Sequence, residues 1–324
     1  MVLKTDIKIT ALAGGVGGSR LVRGLAEYLP PEQLTVIVNT GDDFEHLGLS
    51  ISPDIDTVLY NLANLAQVQE GWGIQNDTYY CMTALDRLGG PVWFGLGDRD
   101  LATHLARTQW LREGLTLTQA TSRMAEALGI HHTILPMSDD PCRTKVVTDA
   151  GVLDFQAYFV RERWQPVIRS LFWEGAESAQ PTPQVLQALD ACDLVVICPS
   201  NPFVSVDPIL NLPGVRERLE RKPVVAMSPI IGGMTVKGPA AKMFLELTGE
   251  PASVMAVVQH YGGLLDGMVI DEADEHLLAE LQQQVRYAAA MPTLMLNRER
   301  QIEIGGEFLQ FALTVLEQEQ SRAQ

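Results

Sequence analysis

Two sets of residues in this 324-residue chain have types and spacing suited to chemistry. The first is Gly14-Gly15-Val16-Gly17-Gly18, within AGGVGGSR at 13–20. Four glycines among five residues, between a short apolar run and an amphipathic stretch, let backbone N–H groups approach a phosphate with help from a helix dipole. A tight turn that needs only packing room is the bland alternative. No Gly-Lys-Ser/Thr follows, so this is not a Walker A loop. Arg20 stands where the dinucleotide fingerprint needs its third glycine or alanine, so that motif is missed too. The anion is therefore left open.

The second set is carboxylate. Asn39-Thr40-Gly41-Asp42-Asp43 ends an apolar run, and Ser52-Pro53-Asp54-Ile55-Asp56 follows closely. A lone acid at this place would grip a ribose hydroxyl. Several acids at a strand's carboxyl edge suit a hard cation instead, and Mg²⁺ takes one or two carboxylates plus phosphate oxygens. A bound phosphate and an acidic wall repel each other unless a metal lies between them, so the two sets together predict a divalent cation. Asp42 and Asp56 read as site residues. Asp54 reads equally as a site residue or as a cap for the helix that starts there.

Further candidates lie at later turns. Gly97-Asp98-Arg99-Asp100 opens a helix; Arg99 needs a carboxylate partner or a polar ligand, and a surface ion pair is the even alternative. Ser200 and Asn201 (PSNP), and Ser228 with Gly232 and Gly233 (SPIIGG), each follow a strand, where open α/β sheets bind ligands. Turn chemistry alone also accounts for such residues. Lys237 is placed to meet a phosphate or simply to be solvated. Residues 138–144 line a pocket or form a hairpin. His46, His104, His131 and His132 have no acid–base partner by spacing and read as structural. Trp72 and Trp93 suit a planar ligand or the core.

The elements that must position these residues alternate. Ile7–Ala13 is a strand, Ser19–Tyr28 a helix and Leu34–Asn39 a strand, which predicts a right-handed βαβ unit in a parallel sheet. Residues 57–130 read as a helical insertion, with helices over 57–69, 78–88, 100–112 and 118–128. Core segments 1–56 and 131–324 flank it. Residues 133–160 are β-like, with Asp149-Ala150-Gly151 as a hairpin turn. The rhythm then resumes: helix 183–191, strands 193–198, 222–227, 267–271 and 293–296, helix 275–286 and a closing helix 308–320.

Composition narrows the function. The net charge is −16 and the pI about 4.7, which excludes sequence-independent nucleic-acid binding and docking on anionic lipid. Ten acids and two bases leave −8 between residues 39 and 100, and residues 271–324 carry −6. No apolar run reaches bilayer length and the N-terminus lacks a signal-peptide core, so a cytoplasmic protein is expected. Cys81, Cys142, Cys192 and Cys198 have no CxxC spacing and read as reduced thiols.

In order along the chain, AGGVGGSR, NTGDD (39–43), SPDIDTVLY (52–60), GDRDLATHL (97–105), LPMSDDPCRT (135–144), PSNPFVS (199–205), SPIIGGMTVKGPA (228–240) and LLDGMVID (264–271) resemble the 2-phospho-L-lactate transferase family (CofD, or FbiA) of deazaflavin coenzyme F-420 biosynthesis. Cys142 stands where the pattern expects a small aliphatic residue. The resemblance implies a Rossmann-like three-layer α/β/α sandwich with a mainly parallel sheet and a helical insertion, often as a homodimer. It implies transfer of a 2-phospho-acid group from a guanosine diphosphate ester of lactate or enolpyruvate to the terminal ribityl hydroxyl of FO (7,8-didemethyl-8-hydroxy-5-deazariboflavin), with GMP leaving. By motif, Asp56 and Arg99 fall where the family contacts FO. On this reading Mg²⁺ sits on Asp42, Asp43 and Asp56, and Asp56 or its metal-bound partner takes the attacking proton. Gly14, Gly15, Gly17 and Gly18 lie beside the phosphates, and Ser200 and Asn201 near the guanosine. The donor acid is not readable from these residues. Two rivals remain. One is a nicotinamide oxidoreductase, disfavoured by the missing glycine and the doubled aspartate. The other is a non-catalytic, nucleotide-sugar-binding regulator of the related YvcK type.

Overall fold

Ile9–Ala13 (β1) and Leu34–Val38 (β2) pair in parallel, Ile9 opposite Leu34, as the apolar runs on either side of the glycine turn predict. The full computed structural model describes residues 7–67, 69–236 and 238–322. After β2 come Phe44–His46 (β3), Leu49–Ile51 (β4), Thr133–Pro136 (β5), Arg143–Thr148 (β6), Gly151–Asp154 (β7) and Ile168–Glu174 (β8). Leu194–Ile197 (β9), Val224–Met227 (β10), Ile230–Ile231 (β11), Met234–Thr235 (β12), Gly267–Asp271 (β13) and Tyr287–Met291 (β14) complete the strands. The α-helices are Gly15–Leu25 (α1), Pro53–Leu62 (α2), Tyr80–Arg87 (α3), Asp98–Arg112 (α4), Leu117–Ala127 (α5), Pro183–Ala191 (α6), Asp207–Leu210 (α7), Arg216–Leu219 (α8), Ala240–Thr248 (α9), Val254–Tyr261 (α10), Leu278–Leu281 (α11) and Arg298–Arg322 (α12).

Seven strands form one parallel sheet in the order β14-β13-β10-β9-β1-β2-β5. Its central strands are buried along their whole length, because helices cover both faces. Alternate residues divide between the faces. Leu12, Ile37, Val195 and Ile197 join α6, α9 and α10 in one cluster. Ala11, Ala13, Val36, Val38 and Val196 join α1, α2, α5 and α12 in the other. This is the three-layer α/β/α sandwich expected. Gly24 of α1 and Gly305 of α12 let these helices touch by backbone: a Cβ on Gly305 would come 2.4 Å from the Gly24 carbonyl carbon.

The elements within residues 57–130 divide. α2 and α5 pack into the sandwich layer, whereas Met82 and Leu96 join Phe44 and Ile51 of the β3–β4 hairpin in a separate small cluster. The expected hairpin region also divides. β5 belongs to the main sheet, and β6 pairs antiparallel with β7 and with β8. The 275–286 helix is instead a 3₁₀ turn over Glu272–Leu277 followed by α11, because Asp271 caps the turn by accepting from the Ala273 N–H. The last strand is β14 rather than 293–296; Thr293 instead donates to Asp271 through its backbone and its hydroxyl. No helix among the described residues is long and apolar enough to cross a membrane.

Candidate active site

Strand order reverses beside β1: β2 and β5 continue on one side, and β9, β10, β13 and β14 on the other. Open α/β sheets bind ligands at such a point, outside the carboxyl ends of the strands. A cavity of about 590 Å³ opens there, within the usual size of a small-molecule site. Gly14, Gly15, Gly17, Asp42, Asp54, Asp56, Ser200, Asn201 and Ser228 all line it.

The glycine turn is the join between β1 and α1, and its glycines do different things. Gly15 holds φ +62° at the first turn of α1. Gly17 packs so closely that a Cβ would lie 2.2 Å from the Pro199 carbonyl oxygen, and one on Gly18 would lie 2.4 Å from Ser200 Oγ. Ser200 ties the two strand ends together: its hydroxyl accepts from the Gly14 N–H (3.0 Å) and donates to the Gly14 carbonyl (2.8 Å). These close approaches give the turn its need for glycine as packing room. The opening N–H groups of α1 have no intrahelical partner. Gly15 N–H donates to Asp54 Oδ1 (2.7 Å), and Val16 and Gly17 are among the residues that line the cavity.

Asn39, at the end of β2, organises the carboxylates. Its amide donates to Asp54 Oδ2 (2.8 Å), Asp42 Oδ1 (3.3 Å) and the Val204 carbonyl (3.1 Å). Asp54 does not cap its own helix; it accepts from the start of α1. Burial pushes the Asp42 carboxyl well above its ordinary range, and the Asp54 charge adds to this. Burial raises Asp54 to about 6. Neither side chain meets a Lys, Arg or His among the described residues. Two buried carboxylates side by side at a cavity, without a cationic neighbour, are the type of oxygen donor that a hard cation takes. Among the described residues, no group of three or more acids, histidines or cysteines is placed to hold a metal.

The expected set Asp42, Asp43 and Asp56 is not brought together. Asp43 accepts from Ser52 Oγ (2.7 Å) and lies outside the cavity lining; desolvation raises it to about 8. Asp56 is buried in an ion pair with Arg107, whose guanidinium donates to both its oxygens. His104 Nδ1 lies 3.5 Å from Asp56 Oδ2, and its Nε2 lies 3.4 Å from Asp100 Oδ1. Tyr60 donates to Asp100 Oδ1 (2.7 Å). Asp56, Asp100, His104 and Tyr60 thus form one linked polar floor to the cavity. By sequence His104 reads as structural, and Arg107 is not among the candidates. The signal was the spacing Asp100, His104, Arg107 on one face of α4.

The remaining predicted residues separate. Arg99 lies outside the cavity lining and donates to the Gln75 carbonyl (3.2 Å). The chain turns it away because Asp77 accepts the Arg99 and Asp100 N–H groups and so caps α4, while Asp98 accepts the Tyr80 and Cys81 N–H groups and caps α3. Gly232 and Gly233 have φ +57° and +74° and form the two-residue turn between β11 and β12, outside the lining. Asn201 and Ser228 line the cavity while also bonding their own turns. Lys237 lies outside the described residues. Trp72 is at the cavity and Trp93 is not; it packs with Phe44, His46 and Phe94.

The raised carboxyls set a pH dependence. In the folded protein Asp54 and Asp43 hold protons up to about 6 and about 8, whereas the unfolded chain loses them near 3.8. The folded state binds more protons in this window, so its stability falls as pH rises through it. Without divalent cation, the melting temperature is expected to fall from pH 4 to pH 8, and Asp54→Asn to flatten the slope. A wild-type profile as flat as the variant's would contradict this.

Comparison with known proteins agrees with the motifs. The family model described as 2-phospho-L-lactate transferase CofD matches residues 9–303. A 2-phospho-L-lactate transferase of Methanosarcina mazei is 40% identical over 292 residues, covering 90% of this chain and 96% of that protein. A phosphoenolpyruvate transferase of Kitasatospora aureofaciens is 41% identical over 321 residues, covering 96% and 98%. A crystal structure of a UPF0052-family protein from Bacillus halodurans has TM-score 0.61 at 17% identity, covering 95% of this chain and 100% of that one, a likeness of fold.

Proposed function

The chain belongs to the 2-phospho-L-lactate transferase CofD family and is a transferase, and from that premise we propose that it moves a 2-phospho-acid group from a guanosine diphosphate ester to the terminal ribityl hydroxyl of FO, releasing GMP, in the biosynthesis of coenzyme F-420. The observation that carries this is the pairing of Asp42 and Asp54 with the start of α1 at one cavity. It offers an anion site and a cation site side by side. Phe155, Phe159, Trp72 and Trp164 give the same cavity the apolar surface that a flat deazaflavin ring needs. The acid is lactate or enolpyruvate, the two named among the relatives, and glycerate is a third arm of the test.

Such a transfer depends on positioning and charge neutralisation more than on covalent help. Mg²⁺ held by Asp42 and Asp54 would neutralise the diphosphate. The α1 N–H groups orient the phosphate oxygens. As the ribityl oxygen bonds to phosphorus, the bond from phosphorus to the GMP oxygen breaks and GMP leaves. The hydroxyl proton passes to Asp56, which the Arg107 pair holds in place at the cavity wall. A loose transition state releases that proton late, so a weak base suffices. Asn201 and Ser228 supply polar groups for the guanosine. EDTA is expected to abolish transfer and added Mg²⁺ to restore it; turnover that survives chelation would overturn the metal assignment. Stabilisation by a UDP-sugar alone, with none by FO or GDP, would favour the regulatory reading.

A further inference from the structure

We propose that Arg163 binds the carboxylate of the donor's acid group, an inference that rests on the transfer reading of this same cavity. The charged lining is lopsided: Asp42, Asp54, Asp56 and Asp100 are set against Arg20 and Arg163. Arg20 is almost wholly buried and has a partner of its own. Arg163 is exposed at the cavity and makes no hydrogen bond or ion pair to another described residue.

The backbone beneath it is unusual. Arg163 and Trp164 hold φ +50° and +51°, two successive side-chain-bearing residues in the left-handed region. Such strain persists only where the surroundings enforce it, and it collects at binding sites. Here Trp164 N–H donates to the Tyr158 carbonyl (2.9 Å) and Tyr158 Oη donates to the Trp164 carbonyl (3.3 Å). Lys242 of α9 donates to the Pro166 carbonyl (2.7 Å), to Tyr158 Oη (3.3 Å) and to Glu246 (2.6 Å), and Glu246 accepts from the Ile168 N–H (2.8 Å). The turn is thus fastened to α9 and to the π-turn over Ala157–Arg161.

A guanidinium on a fixed turn, uncommitted to the protein and facing a ligand cavity, is a receptor for an anion. The donor brings two anionic groups. Its diphosphate has the start of α1 and the Asp42–Asp54 pair. Its carboxylate would be repelled by that acidic wall and needs a cation elsewhere, and Arg163 stands on a different segment of the lining.

Two donors test this: the guanosine diphosphate ester of lactate and that of ethanol, which lacks the carboxylate. Arg163→Gln removes the charge, and Arg163→Gly also suits the positive φ, so a strained fold would not explain a loss shared by both. With the lactate ester, kcat/KM is expected to fall about 10- to 100-fold in both variants, mainly through the donor KM, with the FO KM unchanged. With the ethyl ester, wild type and variants are expected to agree within about twofold. Equal losses on both donors, or no loss on the lactate ester, would overturn the assignment. Absence of transfer by wild type from the lactate, enolpyruvate and glycerate esters alike would instead overturn the transfer reading. Melting shifts then decide: the lactate ester must stabilise wild type more than Arg163→Gln, and equal stabilisation overturns the Arg163 inference.

Discussion

Arg107→Leu is expected to cost about 3–5 kcal/mol of stability, because it strands the buried Asp56 carboxylate without its partner. The melting temperature should fall by at least about 5 °C. The double variant Asp56→Leu/Arg107→Leu is expected to recover most of this loss, since a buried ion pair replaced by apolar groups is often neutral. It should remain inactive, because Asp56 lines the cavity. Thermal melts and turnover of the three proteins separate the two roles of Asp56. A double variant as unstable as Arg107→Leu would show that the loss comes from packing around the guanidinium rather than from the stranded charge.

Asp42→Asn should move stability and activity in opposite directions. Ionised Asp42 is disfavoured by burial and by its neighbour Asp54, so the neutral amide relieves a buried charge. The metal-free variant is expected to melt higher than wild type at pH 8, and more so than at pH 4, where the wild-type carboxyl is already protonated. Transfer should fall by at least about 100-fold, the scale on which even outer-shell losses act at metal sites, and the melting shift on adding Mg²⁺ should vanish. Such a trade of stability for function is common where a site holds uncompensated charge. A variant that keeps near-normal turnover and a Mg²⁺ shift would remove Asp42 from the cation site.

Much of this site was legible because its residues lie where strands end. The glycine turn, Asp42, Ser200 and Ser228 follow β1, β2, β9 and β10, and a parallel sheet gathers those ends at one edge. What sequence spacing missed involves contacts between distant segments. Arg107 lies just beyond the acidic stretch that contains Arg99, and its pairing with Asp56 joins two segments 51 residues apart. Arg99 looked like the charge the stretch needed, but the crossed caps of Asp77 and Asp98 turn it outward. Asp54 was balanced between site and cap. It is a cap, but for α1 across the cleft, and it lines the site for the same reason. β8 escaped notice because its alternating, half-exposed residues, IRSLFWE, carry no continuous apolar run. Arg163 and Trp164 gave no signal, since left-handed backbone is not visible in residues that rarely adopt it.

The most direct measurement is mass spectrometry of the product formed from FO, Mg²⁺ and each synthetic guanosine diphosphate ester. The account predicts FO extended by one phospho-acid group, with one GMP released per product, from at least one of the lactate, enolpyruvate and glycerate esters. Unchanged FO with all three donors, under conditions where the protein is folded and loaded with Mg²⁺, would contradict it.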